Sequence, residues 1–319
     1  MQQISKGSRG WGVVLQGEIM IQFDSKFFEA EERCGFEIEP MMKRAWACEL
    51  KILSEVINIC HKYELTYYAD YGTLLGAVRH KGYVPWDDDI DIALKRSDYM
   101  MLMKVLKSEL PRHYAINNCY ESVTHRQPMS SVANYATFPV PKSVADEFYG
   151  FPYVAGIDIY ALDYVPREEE YANLQLSMYT MVYDMAQRLD EIRANGEVEK
   201  YLPQIEEICG VKLEDDKMLR SRLWQLGDRI QGMFTEQESD YLTYFPRIVQ
   251  GNEGFKYKKE WYDDVISMQF ENIEIDVPVG YDEILKTLYG DYHQYQVGLS
   301  AHNYPFYKKQ REYLEGIKK

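Results

Sequence analysis

Apolar positions recur along this chain with two periods, and the changes between them mark its elements. Trp46, Leu50, Leu53, Ile57 and Cys60 fall at 4-3-4-3 spacing, and Ile52, Val56 and Ile59 widen the stripe. That spacing predicts a helix over 41–63, led by Pro40, with a broad face that must pack on a sheet. A second helix is expected after Ser97 or Asp98 as cap, with Tyr99, Leu102, Met103, Leu106 and Leu110 on one face and Pro111 as its stop. Period-two stretches at 65–70, 89–94 and 155–161, and weaker ones at 113–117 and 132–138, read as strands. Between the first two strands, Gly72-Thr73 breaks the pattern, 74–78 reads as a short helix and 80–86 as a loop. The stretch 139–152, with Pro139, Pro141, Pro152 and Gly150, reads as loop.

Beyond 168 the period becomes helical to about 231, with interruptions near Gly196, Pro203 and Gly210. The stretch 247–264 is irregular and rich in Lys and aromatics. Two alternating runs, 265–270 and 273–277, predict a hairpin, followed by a short helix over 281–289 and a polar tail from Ser300. A further hairpin is expected at 11–23 (WGVVLQGEIMIQF). The expected fold class is α/β (α+β), a mixed sheet flanked by helices with a mostly helical additional lobe. The expected division is an extension at 1–40, a core at 41–165, a helical lobe at 166–260 and a C-terminal part at 261–319 that packs on the core.

Composition narrows the function. A net charge of −15 is wrong for a nucleic-acid binder, which needs a basic field. It leaves room for an anionic small substrate, because a bound cation reverses the sign locally. The five Cys are odd in number and include no C-x-x-C, so neither a disulfide framework nor a structural zinc site is indicated, and a reducing, cytoplasmic setting is expected. No signal peptide and no apolar run long enough to span a bilayer is visible. No G-x-G-x-x-G or P-loop occurs, which disfavours a Rossmann fold.

The chemistry concentrates in 67–98. In Asp89-Ile90-Asp91-Ile92, period-two geometry puts both carboxylates on one face and both isoleucines on the other. Two half-buried carboxylates at close range repel unless a proton or a cation lies between them, and a hard divalent ion such as Mg²⁺ answers that need. Asp158, in Gly156-Ile157-Asp158-Ile159-Tyr160, has the same setting and can add a third carboxylate if its strand is a neighbour. The plain alternative is a solvated acidic loop. Asp87 shares parity with Asp89 and makes Asp87/Asp89 the competing pair, whereas Asp88 is a candidate for substrate contact. Gly72 and Thr73, at a strand-to-helix turn, offer N–H groups and a hydroxyl to a phosphate, although most such turns are only turns. Arg79, His80 and Lys81 lie between; Arg can hold phosphate with a bidentate fork and Lys as a point charge, against the alternative of a solvated basic loop.

The run GTLLGAVRHKGYVPWDDDIDIALKRSDY (72–99) resembles the signature of the LicD family, whose relatives include the fukutin-type sugar-phosphate transferases. GIDIYALD (156–163) is similar to the family's later Asp-bearing strand, and Phe270-Glu271 through LYGDY (288–292) to its closing region. The resemblance implies a nucleotidyltransferase-type core. It implies metal (Mg²⁺ or Mn²⁺) on Asp89 and Asp91, with Asp158 as third ligand or general base. The implied reaction moves a phosphoalcohol such as phosphocholine, or a polyol phosphate, from a CDP-linked small-molecule donor to a glycan acceptor. Lipopolysaccharide or teichoic acid modification would be its setting, with peripheral membrane contact through a lipid-linked acceptor. Fukutin-type relatives can carry a Cys-ligated zinc, for which this chain has no Cys cluster. The rival readings are a metal-dependent glycosyltransferase using a DxD, a nucleotidyltransferase releasing pyrophosphate, and a nucleotide-binding module without turnover.

Overall fold

Pro40 occupies the first helical position of Pro40–Lys62, where its missing N–H would have had no helical partner. The structure, a computed structural model, describes residues 12–15, 18–122, 125–251, 255–297 and 304–316. Along this first helix the expected stripe is buried throughout: Trp46, Leu50, Leu53, Ile57 and Cys60 are fully enclosed, as are Ile52 and Val56. Each enclosed Leu or Ile contributes roughly 1.5–3 kcal/mol relative to exposure, so this face anchors the fold.

The chain packs as two compact units. One comprises the described residues of Met1–Ile116, Ser131–Ile159 and Asp264–Lys319; the other comprises those of Asn117–Ser130 and Tyr160–Asp263. In the first, strand Tyr67–Ala69 pairs antiparallel with Asp91–Lys95, with Tyr68 opposite Ala93. On the other side of Asp91–Lys95 lies the start of strand Gly156–Pro166, where the Asp158 N–H donates to the Ile90 carbonyl at 2.9 Å. Asn134 fixes the approach to that strand, accepting from the Ala155 N–H and donating to the Tyr153 carbonyl, both at 3.0 Å. Helices Pro40–Lys62, Tyr71–His80 and Arg96–Glu109 flank this mixed sheet. The hairpin Val265–Phe270 and Ile273–Pro278 packs against the same unit, its Asp276 N–H donating to the Tyr67 hydroxyl at 3.1 Å.

The second unit is built on helices Glu169–Ala194, Val198–Cys209 and Leu219–Gln231, whose Tyr179, Val182, Leu189, Leu219, Leu223 and Trp224 share a core with Phe245. Ser239–Thr243 pairs antiparallel with the end of Gly156–Pro166 and with Tyr257–Lys258.

Several bounds differ from the sequence reading. The strand expected at 89–94 begins at Asp91 and runs to Lys95; 87–90 leave the turn closed by the Asp87 N–H on the Val84 carbonyl, and Ile90 uses its carbonyl for the neighbouring strand. The helix expected at 74–78 runs from Tyr71 to His80, with Gly72 and Thr73 in its first turn. The stretch 139–152 contains helix Lys142–Glu147, which forms because Val144, Ala145 and Phe148 bury one side of it. Pro203 lies inside Val198–Cys209 rather than ending it; the breaks fall at Gly196 and Gly210, both in the left-handed region. Of the first hairpin, strands Gly12–Leu15 and Glu18–Ile21 pair antiparallel, while Trp11, Gln16 and Gly17 lie outside the described residues, as do 298–303 at the start of the tail.

Candidate active site

Strand Tyr67–Ala69 ends in Asp70, and Asp70 starts helix Tyr71–His80. Its carboxylate accepts from the Tyr71 N–H at 2.8 Å and its carbonyl from the Leu74 N–H at 3.0 Å, while its own N–H donates to the Asp91 carbonyl at 3.1 Å. Thr73 closes the same junction: its hydroxyl accepts from the Asp91 N–H at 2.8 Å. The start of one helix and the start of the next strand are therefore tied together at Asp91. Tyr71 is held at φ +42, a left-handed conformation that is costly for an aromatic residue and is sustained by the packing around it. A Cβ at Gly72 would run into the Asp87 carboxylate, so glycine is what admits that carboxylate to the helix start.

The aspartate run is set from the first helix. Trp46 stacks on Tyr83 (4.5 Å between rings, 3° apart) and donates from Nε1 to the Asp87 carbonyl at 3.2 Å. The Asp87 N–H closes a turn to the Val84 carbonyl. The turn brings Asp87, Asp88 and Asp89 together: each offers a carboxylate oxygen, and these lie within 4.8 Å of one another. Asp88 is fully buried, and its Oδ2 accepts from the Phe306 N–H at 2.7 Å.

The electrostatics follow from crowding. Burial first, then the charges of Asp89, Asp158, Asp70 and Asp87, push the Asp91 carboxyl well above the usual carboxylate range. Burial, then Asp89 and Asp88, do the same to Asp87, which also shares a hydrogen bond with Asp89. Behind them Glu49, on the first helix and enclosed, is pushed up by burial and by Asp88 and Asp89, and its Oε2 accepts from the Tyr83 hydroxyl at 3.0 Å. A set of carboxylates that raise one another's proton affinity, all from oxygen donors and converging at a helix N-terminus, fits a hard divalent cation.

The structure thus brings Asp87, Asp88, Asp89, Asp91 and Asp158 into one electrostatic group, with Gly72 and Thr73 beside it. It places Arg79, His80 and Lys81 differently. The Arg79 guanidinium donates to the Tyr292 carbonyl at 2.6 Å, lies 4.8 Å over the Tyr295 ring, and donates from Nε to His80. Burial, with Arg79 and Arg33 nearby, lowers His80 to about 4. Lys81 caps the helix in the left-handed conformation with an exposed side chain. Arg79 and His80, the latter 5.4 Å from the Tyr295 ring, pin the segment around 292–295, whereas the Lys81 carbonyl accepts from the Glu271 N–H at 2.8 Å.

Three contributors were not singled out from the sequence. Asp70 stands one residue before Gly72's neighbour Tyr71, where an N-cap is expected. Glu49 lies in phase with Trp46 and Leu53, a carboxylate on an apolar face. The periodicity marks Trp46 only as core, whereas its indole N–H holds the Asp87 backbone.

Over 248 residues the chain is 26% identical to the lipopolysaccharide cholinephosphotransferase LicD of Haemophilus influenzae, covering 76% of this chain and 88% of that protein. Two shorter matches, each over 56 residues, are to uncharacterized proteins of Rickettsia prowazekii (38% identical, 18% of this chain and 21% of that protein) and Rickettsia typhi (36%, 18% and 18%). Residues 64–142 match the family described as LicD/FKTN/FKRP, nucleotidyltransferase domain. That span, which holds the Gly72–Thr73 helix start and the aspartates from 87 to 91, is similar to the nucleotidyltransferase domain of the LicD family.

Proposed function

We propose that this protein transfers a phosphoalcohol, phosphocholine foremost, from a CDP-linked donor to a hydroxyl of a glycan, with Mg²⁺ or Mn²⁺ at the aspartate group. The observation that carries the reading is the convergence of Asp87, Asp88 and Asp89 beside the Asp91–Thr73 junction. The similarity to a lipopolysaccharide cholinephosphotransferase supplies the donor alcohol and the class of acceptor.

Asp87, Asp89 and Asp91 would hold the cation, which when bound neutralises donor pyrophosphate and the departing nucleotide. Thr73 and Asp70 fix the position of Asp91 through its backbone, so the ligand set is formed before substrate arrives. Asp158 approaches from the adjacent strand and is assigned the acceptor: it takes the proton as the glycan oxygen attacks phosphorus. The new P–O bond forms as the bond to CMP breaks, and CMP leaves with the electron pair. Such a reaction needs positioning and charge more than unusual side chains.

A donor screen tests this reading. The purified protein, with Mg²⁺ and a glycan acceptor, is offered CDP-choline, CDP-glycerol and UDP-sugars, and free nucleotide and pyrophosphate are measured. The expected product is CMP from a CDP donor. Release of pyrophosphate, or turnover of UDP-sugars alone, contradicts the reading.

A further inference from the structure

Beside Trp86, Phe36 meets two aromatic rings at steep angles. Phe36, half-buried on strand Phe36–Ile38, meets Trp86 at 6.3 Å between ring centres and 67° between planes. It meets Tyr304 at 5.6 Å and 81°. The two walls hang from the same pair of aspartates. Trp86 immediately precedes Asp87, and Tyr304 stands two residues before Phe306, whose N–H is bound by Asp88 at 2.7 Å. The segment carrying Tyr304 is itself anchored, because Tyr307 is fully buried and stacks on Tyr153 at 5.1 Å and 6°.

We infer that Phe36, Trp86 and Tyr304 form a box for the quaternary ammonium end of the donor alcohol, beside the aspartates that would manage its phosphates. This deepens the proposed transfer and rests on it for the identity of the donor. A quaternary ammonium has no N–H to donate; what it seeks is ring faces and a negative field, and this corner supplies both. Perpendicular rings suit a rounded cation, whereas a planar nucleobase prefers parallel faces. Trp86 also meets the Tyr295 ring at 5.8 Å and the His80 ring at 6.2 Å, and the Arg79 guanidinium lies over Tyr295. Asp88 Oδ2 is engaged by a backbone N–H, so the box favours a methylated cation over a primary one that must donate hydrogen bonds.

The test measures binding of phosphocholine, phosphoethanolamine and CMP to the full-length protein by calorimetry, and CMP release from CDP-choline and CDP-ethanolamine in parallel. The native protein is expected to prefer phosphocholine by about tenfold, and F36L and Y304L to reduce the preference to about twofold with CMP binding kept. As a readout independent of the variants' folding, the N-methyl protons of phosphocholine bound to the native protein should shift upfield in NMR from ring currents. Equal binding of the two phosphoalcohols, no upfield shift, a preference kept in folded F36L and Y304L, or a parallel loss of CMP binding (a base site) overturns the box. Phosphocholine preference without CMP release from CDP-choline keeps the box and removes the transfer reading. CMP release without preference removes the box alone.

Discussion

Gly72 is held to glycine by the Asp87 carboxylate, so the smallest substitution in the site is also a sharp one. In G72A the added methyl displaces Asp87; the fold should persist by circular dichroism while metal-dependent CMP release falls by about tenfold or more. Crowding also fixes the pH behaviour. Asp87 and Asp91 have proton affinities raised in the folded state above the ordinary carboxylate value, so their contribution to stability is full below that value and lost as pH rises through the raised one. A cation offsets that loss. Melting curves in EDTA and in Mg²⁺ should therefore separate further as pH rises, and a gap that is constant with pH contradicts this. At this scale the sequence was legible in part. Parity along a strand put Asp89 with Asp91, but Asp89 precedes the strand, and it is the stretch after the turn at 84–87, held by Trp46, that collects Asp87, Asp88 and Asp89. Spacing carries no information about an indole N–H reaching a carbonyl forty residues on.

Among the elements, the small hairpin Glu31–Arg33 and Phe36–Ile38 does more than its length indicates. Arg33 pairs with the largely buried Glu271 at 2.5 and 2.9 Å, and Glu271 also accepts from the Tyr83 N–H at 3.1 Å. One carboxylate thus joins two hairpins to the loop that leads into the aspartate run. Removing its partner in R33M leaves that carboxylate buried without its cation and should cost about 3–5 kcal/mol in urea unfolding. Glu31 adds an acid-sensitive tie. Burial would raise its carboxyl, but hydrogen bonds from Arg33 and Lys43 prevail and bring it to about 2 from 4.5. Its folded value is depressed, so its contribution is present above about 4.5 and disappears as pH falls toward about 2. Acid titration should show a loss of stability in that window that E31Q lacks. The long helices and the hairpin Val265–Pro278 were legible because each buries one periodic face. Helix Lys142–Glu147 was not, because six residues among prolines carry too little period and form through the burial of Val144 and Ala145.

For the whole molecule, the charge of −15 and the grouping of Asp87, Asp88 and Asp89 are the two features on which the proposed cation rests. The sequence could not show that Asn117–Ser130 packs with Tyr160–Asp263, since the link is made by Ser221 and Gln225 donating to the Cys119 carbonyl, each at 2.8 Å. Among the described residues no helix is long and apolar enough to cross a membrane. The account turns on whether the aspartates form a cation-dependent transfer centre. The direct measurement is CMP release from CDP-choline by the native protein, D89N and D91N, in Mg²⁺ and in EDTA, with all three shown to be folded. Release by the native protein in Mg²⁺ only is expected, with a loss of at least about a hundredfold in both variants. Native-like release in EDTA, or by either folded variant, contradicts it.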